Sequence, residues 1–498
     1  MKTFRLPEKH KEYKNFINGK WVESSSNETF ERISPGHGEV VGCYPLSNQR
    51  DTEIAILSAR NAFKSKEWSH LTGAEREKII RKTASIIRER AEELALIETL
   101  ESGKPISQAI DEMEWAAGIW DYSATLARHI AGEANTNVGN DMTVMMQKVP
   151  IGVVGMITPW NFPLLIISQK LPIALAAGCT AVIKPSELTP GTTLLLGEIL
   201  QEAGLPNGVV NILAGYGNPV GQTLAESNDV DMITFTGSTA VGKHIVRASA
   251  GNLKKVTLEL GGKNPQIIFP DADIDVLIDA VVFGIYFNMG ECCNSGSRII
   301  IHEEVVTSFI EKVVTHAKKV KVGDPLDPKV KVGAIINNKQ FDKIMEYIAS
   351  GKAQGATLKL GGNRITSKKG LFIEPTIFID VKPEMDIACE EIFGPVLSIL
   401  TFKTNEEAIE IANNTVYGLS AGVWTKDLDT AMIMTRNIDA GTVWVNNWMS
   451  GYPEIPFGGM KQSGLGRELG PQSINEFMET KSILIKSNPA SGNWTYGS

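Results

Sequence analysis

The chain has 498 residues, 43% of them hydrophobic and 21% charged, the balance of a soluble globular protein and more length than one ordinary core accommodates. Its net charge of −8 argues against nucleic acid or a membrane as partner, because phosphate-rich surfaces are bound by basic ones. Two or three domains are expected.

The N-terminal M-K-T-F-R-L-P-E-K-H-K-E-Y-K contains no apolar core of a secretory signal, so a cytoplasmic location is expected. Next, F-I-N-G-K-W-V places Asn18-Gly19 between apolar runs and predicts a tight hairpin. Over residues 74–100, Ile79, Thr83, Ile86, Ile87, Ala91, Leu94 and Ile97 recur at helical spacing and predict one buried stripe. Residues 149–167 are the most apolar window, but Pro150, Gly152, Gly155, Pro159, Asn161 and Pro163 interrupt it. A buried strand running into a loop fits that window better than a membrane span.

From there short apolar strands alternate with helices. Strands are predicted at 151–158, 180–186, 208–214 and 231–237, with helices at 171–177 and 192–203. The alternation resumes after Pro265, with a helix over 305–320 and a strand over 396–402. This pattern implies βαβ units and parallel sheets. Residues 482–486, S-I-L-I-K, read as a lone strand that needs a partner elsewhere.

Four clusters carry chemistry, and each has a bland reading. T-P-W-N-F-P (158–163) follows a predicted strand, where ligands bind in open α/β sheets, and Asn161 offers an amide between two prolines. A Pro-rich turn with an Asx hydrogen bond is the favoured reading of this cluster taken alone. K-P-S-E (184–187) follows another strand. There Lys184 suits a phosphate or ribose, and Glu187 suits ribose hydroxyls while repelling a 2′-phosphate, which favours NAD over NADP. A helix N-terminus complemented by a carboxylate is the alternative. F-T-G-S (235–238) offers Gly237 and Ser238 at a strand-to-helix turn suited to a pyrophosphate. The better glycine pattern, G-L-G-R-E-L-G (464–470), follows no strand and is set aside. In L-E-L-G-G-K-N-P, Glu259 lies between leucines, where desolvation raises a carboxyl pKa toward that of a general base.

The fifth stretch, F-N-M-G-E-C-C-N-S-G-S-R (287–298), sets Cys292 beside Cys293. With Cys43, Cys179 and Cys389 they form an odd, scattered set lacking C-x-x-C, so neither a disulfide framework nor a metal site is expected. Taken alone, the residues leave open which of the adjacent pair is a nucleophile. A lone cysteine is most often a small buried hydrophobe.

In this order, T-P-W-N-F-P, K-P-S-E, F-T-G-S, L-E-L-G-G-K, G-E-C-C-N-S-G-S-R, E-E-I-F-G-P and P-F-G-G-M-K-Q-S-G resemble the aldehyde dehydrogenase superfamily, in its hydrolytic, non-phosphorylating branch. The resemblance runs over roughly residues 15–487. It implies that Cys293, third after Gly290, attacks the aldehyde, that Asn161 and the Cys293 N–H hold the oxyanion, and that Glu259 activates the water that hydrolyses a thioester. It implies NAD contacts at Lys184 and Glu187 for the adenosine ribose, and at Gly217, Gly221, Gly237 and Ser238 for the pyrophosphate. Glu391 and Phe393 would serve the nicotinamide ribose. Further cofactor contacts are expected at Ile157, Trp160, Phe235, Val241 and Leu260.

Substrate contacts are expected at Phe162, Gln169, Phe287, Cys292, Trp448 and Tyr452, near Trp115, Ile119 and Gly451, with Trp448 and Tyr452 as an aromatic wall. Gln169 stands where many relatives acting on apolar aldehydes carry tryptophan, which points to a small or medium polar aldehyde: a hydroxy-, sulfo-, carboxy- or amino-semialdehyde. The implied fold is α/β, with two Rossmann-like parallel-sheet domains and a β-flap for oligomerisation. The cofactor domain would take 1–130 and 151–261, the catalytic domain 262–477, and the flap 131–150 and 478–498. A homodimer or homotetramer is expected. Two other readings are a CoA-acylating enzyme, against which Glu259 argues, and a crystallin-like structural member of the fold.

Overall fold

The structure, a computed structural model, describes residues 4–367 and 369–487. An eight-stranded sheet contains five parallel strands in the spatial order Lys255–Glu259, Met232–Thr236, Val153–Ile157, Thr180–Lys184 and Val210–Ile212. Chain order therefore reverses at Val153–Ile157: the chain first builds outward on one side, then returns to add Met232–Thr236 on the other. That switch point opens a crevice at the carboxyl ends of Val153–Ile157 and Met232–Thr236. Both Val153–Ile157 and Thr180–Lys184 are buried throughout, as strands covered on two faces must be. The hairpin forms as expected. Asn18 and Gly19 take φ of 51° and 70° between Asn15–Ile17 and Lys20–Val22, which extend this sheet's edge.

A second, seven-stranded sheet runs in the order Thr357–Leu360, Thr376–Ile379, Val396–Phe402, Arg298–His302, Pro265–Ile268, Ser420–Trp424 and Thr442–Val445. All its pairs are parallel except the first. The chain passes from the first sheet to the second in five residues, 260–264. The carboxyl end of the first thus faces the amino end of the second. Each sheet has its own main apolar cluster.

A three-stranded antiparallel sheet joins Glu133–Asn135, Met142–Pro150 and Met478–Lys486. The strand S-I-L-I-K is part of Met478–Lys486, and its partner is Met142–Pro150, in register from Met478 opposite Pro150 to Lys486 opposite Met142. Residues 488–498 of the expected flap lie outside the described residues.

Two elements differ from the sequence reading. The stripe over 74–100 is divided between helices Gly73–Glu89 and Ala91–Ser102, because the chain turns at Arg90. The Arg90 side chain is tied to Glu93 and Glu198, and neither glycine nor proline marks the turn. The helix predicted at 171–177 begins at Pro163 and runs to Ala177. Proline suits that first position, where its missing N–H has no partner to lose. Pro172 sits inside the same helix without ending it. Among the described residues no helix is long and apolar enough to cross a membrane, and no group of three or more His, Cys, Asp or Glu is arranged to hold a metal ion.

Candidate active site

The residues singled out by the motifs converge where the two sheets meet. Phe287–Gly290 is a tight turn that arrests the helix Ile274–Tyr286. Asn288, Met289 and Gly290 all take positive φ, at 48°, 59° and 73°. This bend delivers Glu291, Cys292 and Cys293 toward the crevice. The Glu291 carbonyl accepts from Asn161 Nδ2 at 3.1 Å and from Asn288 Nδ2 at 2.9 Å, and Asn288 Nδ2 also reaches the Asn161 carbonyl at 3.1 Å. Asn161 is thereby fixed beside the cysteines. From below, Asn264 Nδ2 donates to the Cys293 carbonyl at 2.7 Å and the Ser295 carbonyl at 2.9 Å.

The two cysteines are unequal. Cys292 is 5% exposed and belongs to the apolar cluster that includes Ile119 and Phe162, with Phe287 packed on it. Cys293 is half-buried. Its thiol pKa is pushed well up, first by the hydrogen bond with Cys292 and then by burial, so at rest it holds its proton.

Glu259 ends the strand Lys255–Glu259 and is buried, with neither carboxylate oxygen partnered among the described residues. Burial, then the charge of Glu468, raises its pKa well above the usual carboxylate range, as its place between leucines suggested. It is close enough to Cys293 for their negative charges to oppose each other. A carboxylate of this kind, without hydrogen bonds and reluctant to ionise, is suited to taking up a proton.

Three residues that the motifs did not point to complete this region. Lys170 is buried and paired with Glu468, and its Nζ lies 3.3 Å from Thr234 Oγ1. This pair flanks Glu259. Lys170 could have been noticed as the lone cation in the apolar L-L-I-I-S-Q-K-L. Glu468 lies in G-L-G-R-E-L-G, which contributes an acid rather than a phosphate loop. Asn264 gave no signal beyond its place in the L-E-L-G-G-K-N-P stretch.

Along the crevice, Lys184 is 4% exposed with Nζ 3.3 Å from Glu187 Oε2, and burial lowers its pKa. Thr158, just past Val153–Ile157, and Thr236, the last residue of Met232–Thr236, each keep a buried hydroxyl without a partner among the described residues. An added Cβ at Gly217 would meet open space, and Gly221 lies against Ile157. Gly237 has no such room, since a Cβ there would come within 2.5 Å of the Phe235 ring. Ser238 caps the helix Thr239–Ala248, whose Val241 faces outward, and Leu260 packs under Gly242. Glu391 is half-buried and accepts from the Gly262 N–H at 3.0 Å, while the Phe393 and Trp160 rings meet edge-on at 5.3 Å. The crevice thus holds a cradle, unsatisfied hydroxyls and a helix N-terminus, a set that fits a dinucleotide.

On the other side of Cys293, the Phe162 and Phe287 rings are stacked with centres 5.8 Å apart. Every one of the fifteen residues of helix Pro163–Ala177 is buried except Gln169. Trp115 and Tyr452 are exposed, Tyr452 by 61%. Trp448 departs from expectation. It is 5% exposed and belongs to the second sheet's apolar cluster, where its ring fills the space left by Gly284 and Gly422. Its aromatic partner is Trp444 at 5.1 Å, so Trp448 and Tyr452 do not form an aromatic wall. The sequence could not show that three glycines, the third being Gly296, leave a slot for that indole.

A model of the "Aldehyde dehydrogenase family" matches residues 21–483. The chain is 43% identical over 485 residues to the Arabidopsis thaliana "Aldehyde dehydrogenase family 2 member C4", covering 97% of this chain and 96% of that protein. Among solved structures, an NAD-dependent aldehyde dehydrogenase from Sinorhizobium meliloti superposes with a TM-score of 0.96 at 46% identity, covering 97% of this chain and 96% of that one. A Staphylococcus aureus betaine aldehyde dehydrogenase in complex with NAD+ gives 0.95 at 40% identity, covering 97% and 96%. With the same fold and nearly the whole length shared, the chain belongs to the aldehyde dehydrogenase family and is an oxidoreductase acting on aldehydes.

Proposed function

We propose that the protein oxidises a small or medium polar aldehyde, such as a hydroxy-, sulfo-, carboxy- or amino-semialdehyde, to its carboxylate with NAD. Cys293 is the nucleophile in this reading. Its raised thiol pKa means that the thiolate must be made on demand, its proton passing to solvent with Glu259 assisting but not required. The thiolate sulfur bonds to the aldehyde carbon. The oxygen that gains charge is held by the second N–H of the Asn161 amide and by the Cys293 backbone N–H. Lys184, Glu187 and the Gly217–Gly221 and Gly237–Ser238 turns would hold NAD, with Glu391 at the nicotinamide ribose, and NAD there would supply the acceptor for the hydride of that carbon. Glu259 in its ionised form then deprotonates the water that cleaves the resulting thioester and passes that proton to the departing sulfur, while the freed acid ionises to the carboxylate.

The observation that carries this reading is Glu259: a buried carboxylate with no hydrogen-bond partner, facing a half-buried cysteine. The polar-substrate proposal rests on Gln169, the single residue of its helix that is not buried. The cofactor proposal of NAD over NADP rests on the Glu187 carboxylate beside Lys184. A reducing, cytoplasmic setting and a homodimer or homotetramer complete the proposal. NADH formation with a panel of aldehydes, with and without CoA, tests it. Turnover without CoA and a preference for polar aldehydes are expected. Strict dependence on CoA would overturn the hydrolytic step, and no NADH with any aldehyde would overturn the activity.

A further inference from the structure

Behind the turn that carries Asn161 lies a buried cluster of charges that aldehyde oxidation does not itself use. Lys104 has no exposed side-chain surface, and its Nζ donates to Glu98 Oε1 at 2.7 Å and to Glu112 Oε2. The same Nζ lies 4.3 Å from the centre of the Phe162 ring. Three buried ionisable groups are weak evidence for stability, because desolvation offsets most of their attraction. Their contacts, however, lead to one place.

Glu112, on helix Ile106–Leu126, accepts at Oε1 from the Leu165 N–H at 3.4 Å. Leu165 lies in the first turn of helix Pro163–Ala177, where Phe162 supplies no side-chain cap. Glu112 therefore gives that helix an acceptor that its own N-terminus lacks. Lys104 in turn holds Glu112 and, as a cation over an aromatic face, the Phe162 ring. Asn161 stands immediately before these two anchors, and its carbonyl is held from the opposite side by Asn288.

We propose that Lys104 is a positioning residue: clamped by Glu98 and Glu112, it grips Phe162 and the start of the following helix, and so keeps the Asn161 amide in place beside Cys293. Lys104 acts only through that turn. The inference rests on the oxyanion role assigned to Asn161.

A double-mutant cycle tests it, with Lys104→Met and Asn161→Ala made singly and together, and kcat, aldehyde KM and Tm measured for each. Lys104→Met is expected to lower kcat about tenfold or more while aldehyde KM moves less than about threefold. In the Asn161→Ala background the same change is expected to cost less than about twofold in kcat, because the group it positions is already gone. Equal losses in both backgrounds would overturn the proposal, since a merely structural role moves both alike. Unchanged kcat in Lys104→Met would overturn it as well. Parental kcat in Asn161→Ala would remove the Asn161 role itself, and this inference with it. If Lys104→Met does not fold, the same cycle is run with Glu98→Gln/Lys104→Met, which leaves one buried carboxylate, that of Glu112, without its cation instead of two.

Discussion

Cys292 and Cys293 differ by one position and by everything around them. Cys292 is packed among Ile119 and Phe162, whereas Cys293 is half-buried and faces Glu259. Cys293→Ala is therefore expected to lower kcat by at least about 10³-fold, and Cys292→Ala to change mainly KM or aldehyde range. Steady-state rates of NADH formation check both, and equal losses would mean that the wrong sulfur was chosen. Glu259 makes a second prediction, in two parts. Its raised pKa means that the base form appears only as pH rises beyond the ordinary carboxylate range, so the rate of thioester hydrolysis climbs through that raised value. Stability runs the other way. From about pH 4.3, where an unfolded glutamate ionises, up to the raised folded value, the native state keeps a proton that the unfolded chain has lost. Stability is then lost as pH climbs through that window. Glu259→Gln should melt above the parent at neutral pH, by a margin that shrinks toward pH 4, as thermal scans across pH would show.

The segment between the sheets is where backbone geometry limits the site. A Cβ on Gly262 would lie 2.6 Å from the Cys293 carbonyl, and one on Gly261 would lie 2.4 Å from Glu391 Oε2. Gly262→Ala is accordingly expected to lower kcat by about 10²-fold through displacement of the Cys293 loop. The binding of NAD, followed by fluorescence, should change far less. Much of this was legible in sequence. Alternating strands and helices gave the parallel sheets, Asn18-Gly19 gave its hairpin, and the leucines beside Glu259 gave its raised pKa. The break at Arg90 was not legible, because no glycine or proline marks it and the ties to Glu93 and Glu198 come from the folded chain. Nor was the placement of Trp448, whose slot is made by glycines distant in sequence.

For the molecule as a whole, the first sheet's switch point and the second sheet's amino end enclose one crevice, so the proposed cofactor site and the proposed nucleophile are brought together by topology. Glu187 at the rim sets the expected choice of dinucleotide. Glu187→Ser should raise kcat/KM for NADP relative to NAD by about tenfold, as removal of one nearby like charge allows. The sheet formed by Met142–Pro150 and Met478–Lys486 leaves Met145, Leu484 and Ile485 exposed, which is consistent with the proposed homo-oligomer. Light scattering should then give a multiple of 54.2 kDa. The central claim is covalent catalysis at Cys293 with hydrolysis by Glu259, and the most direct measurement is a rapid quench of Glu259→Gln mixed with aldehyde and NAD. A stoichiometric burst of NADH is expected, with mass spectrometry finding the acyl group on Cys293 when fragmentation separates the adjacent cysteines. An acyl group on Cys292, or full steady turnover with no trapped thioester, would contradict it.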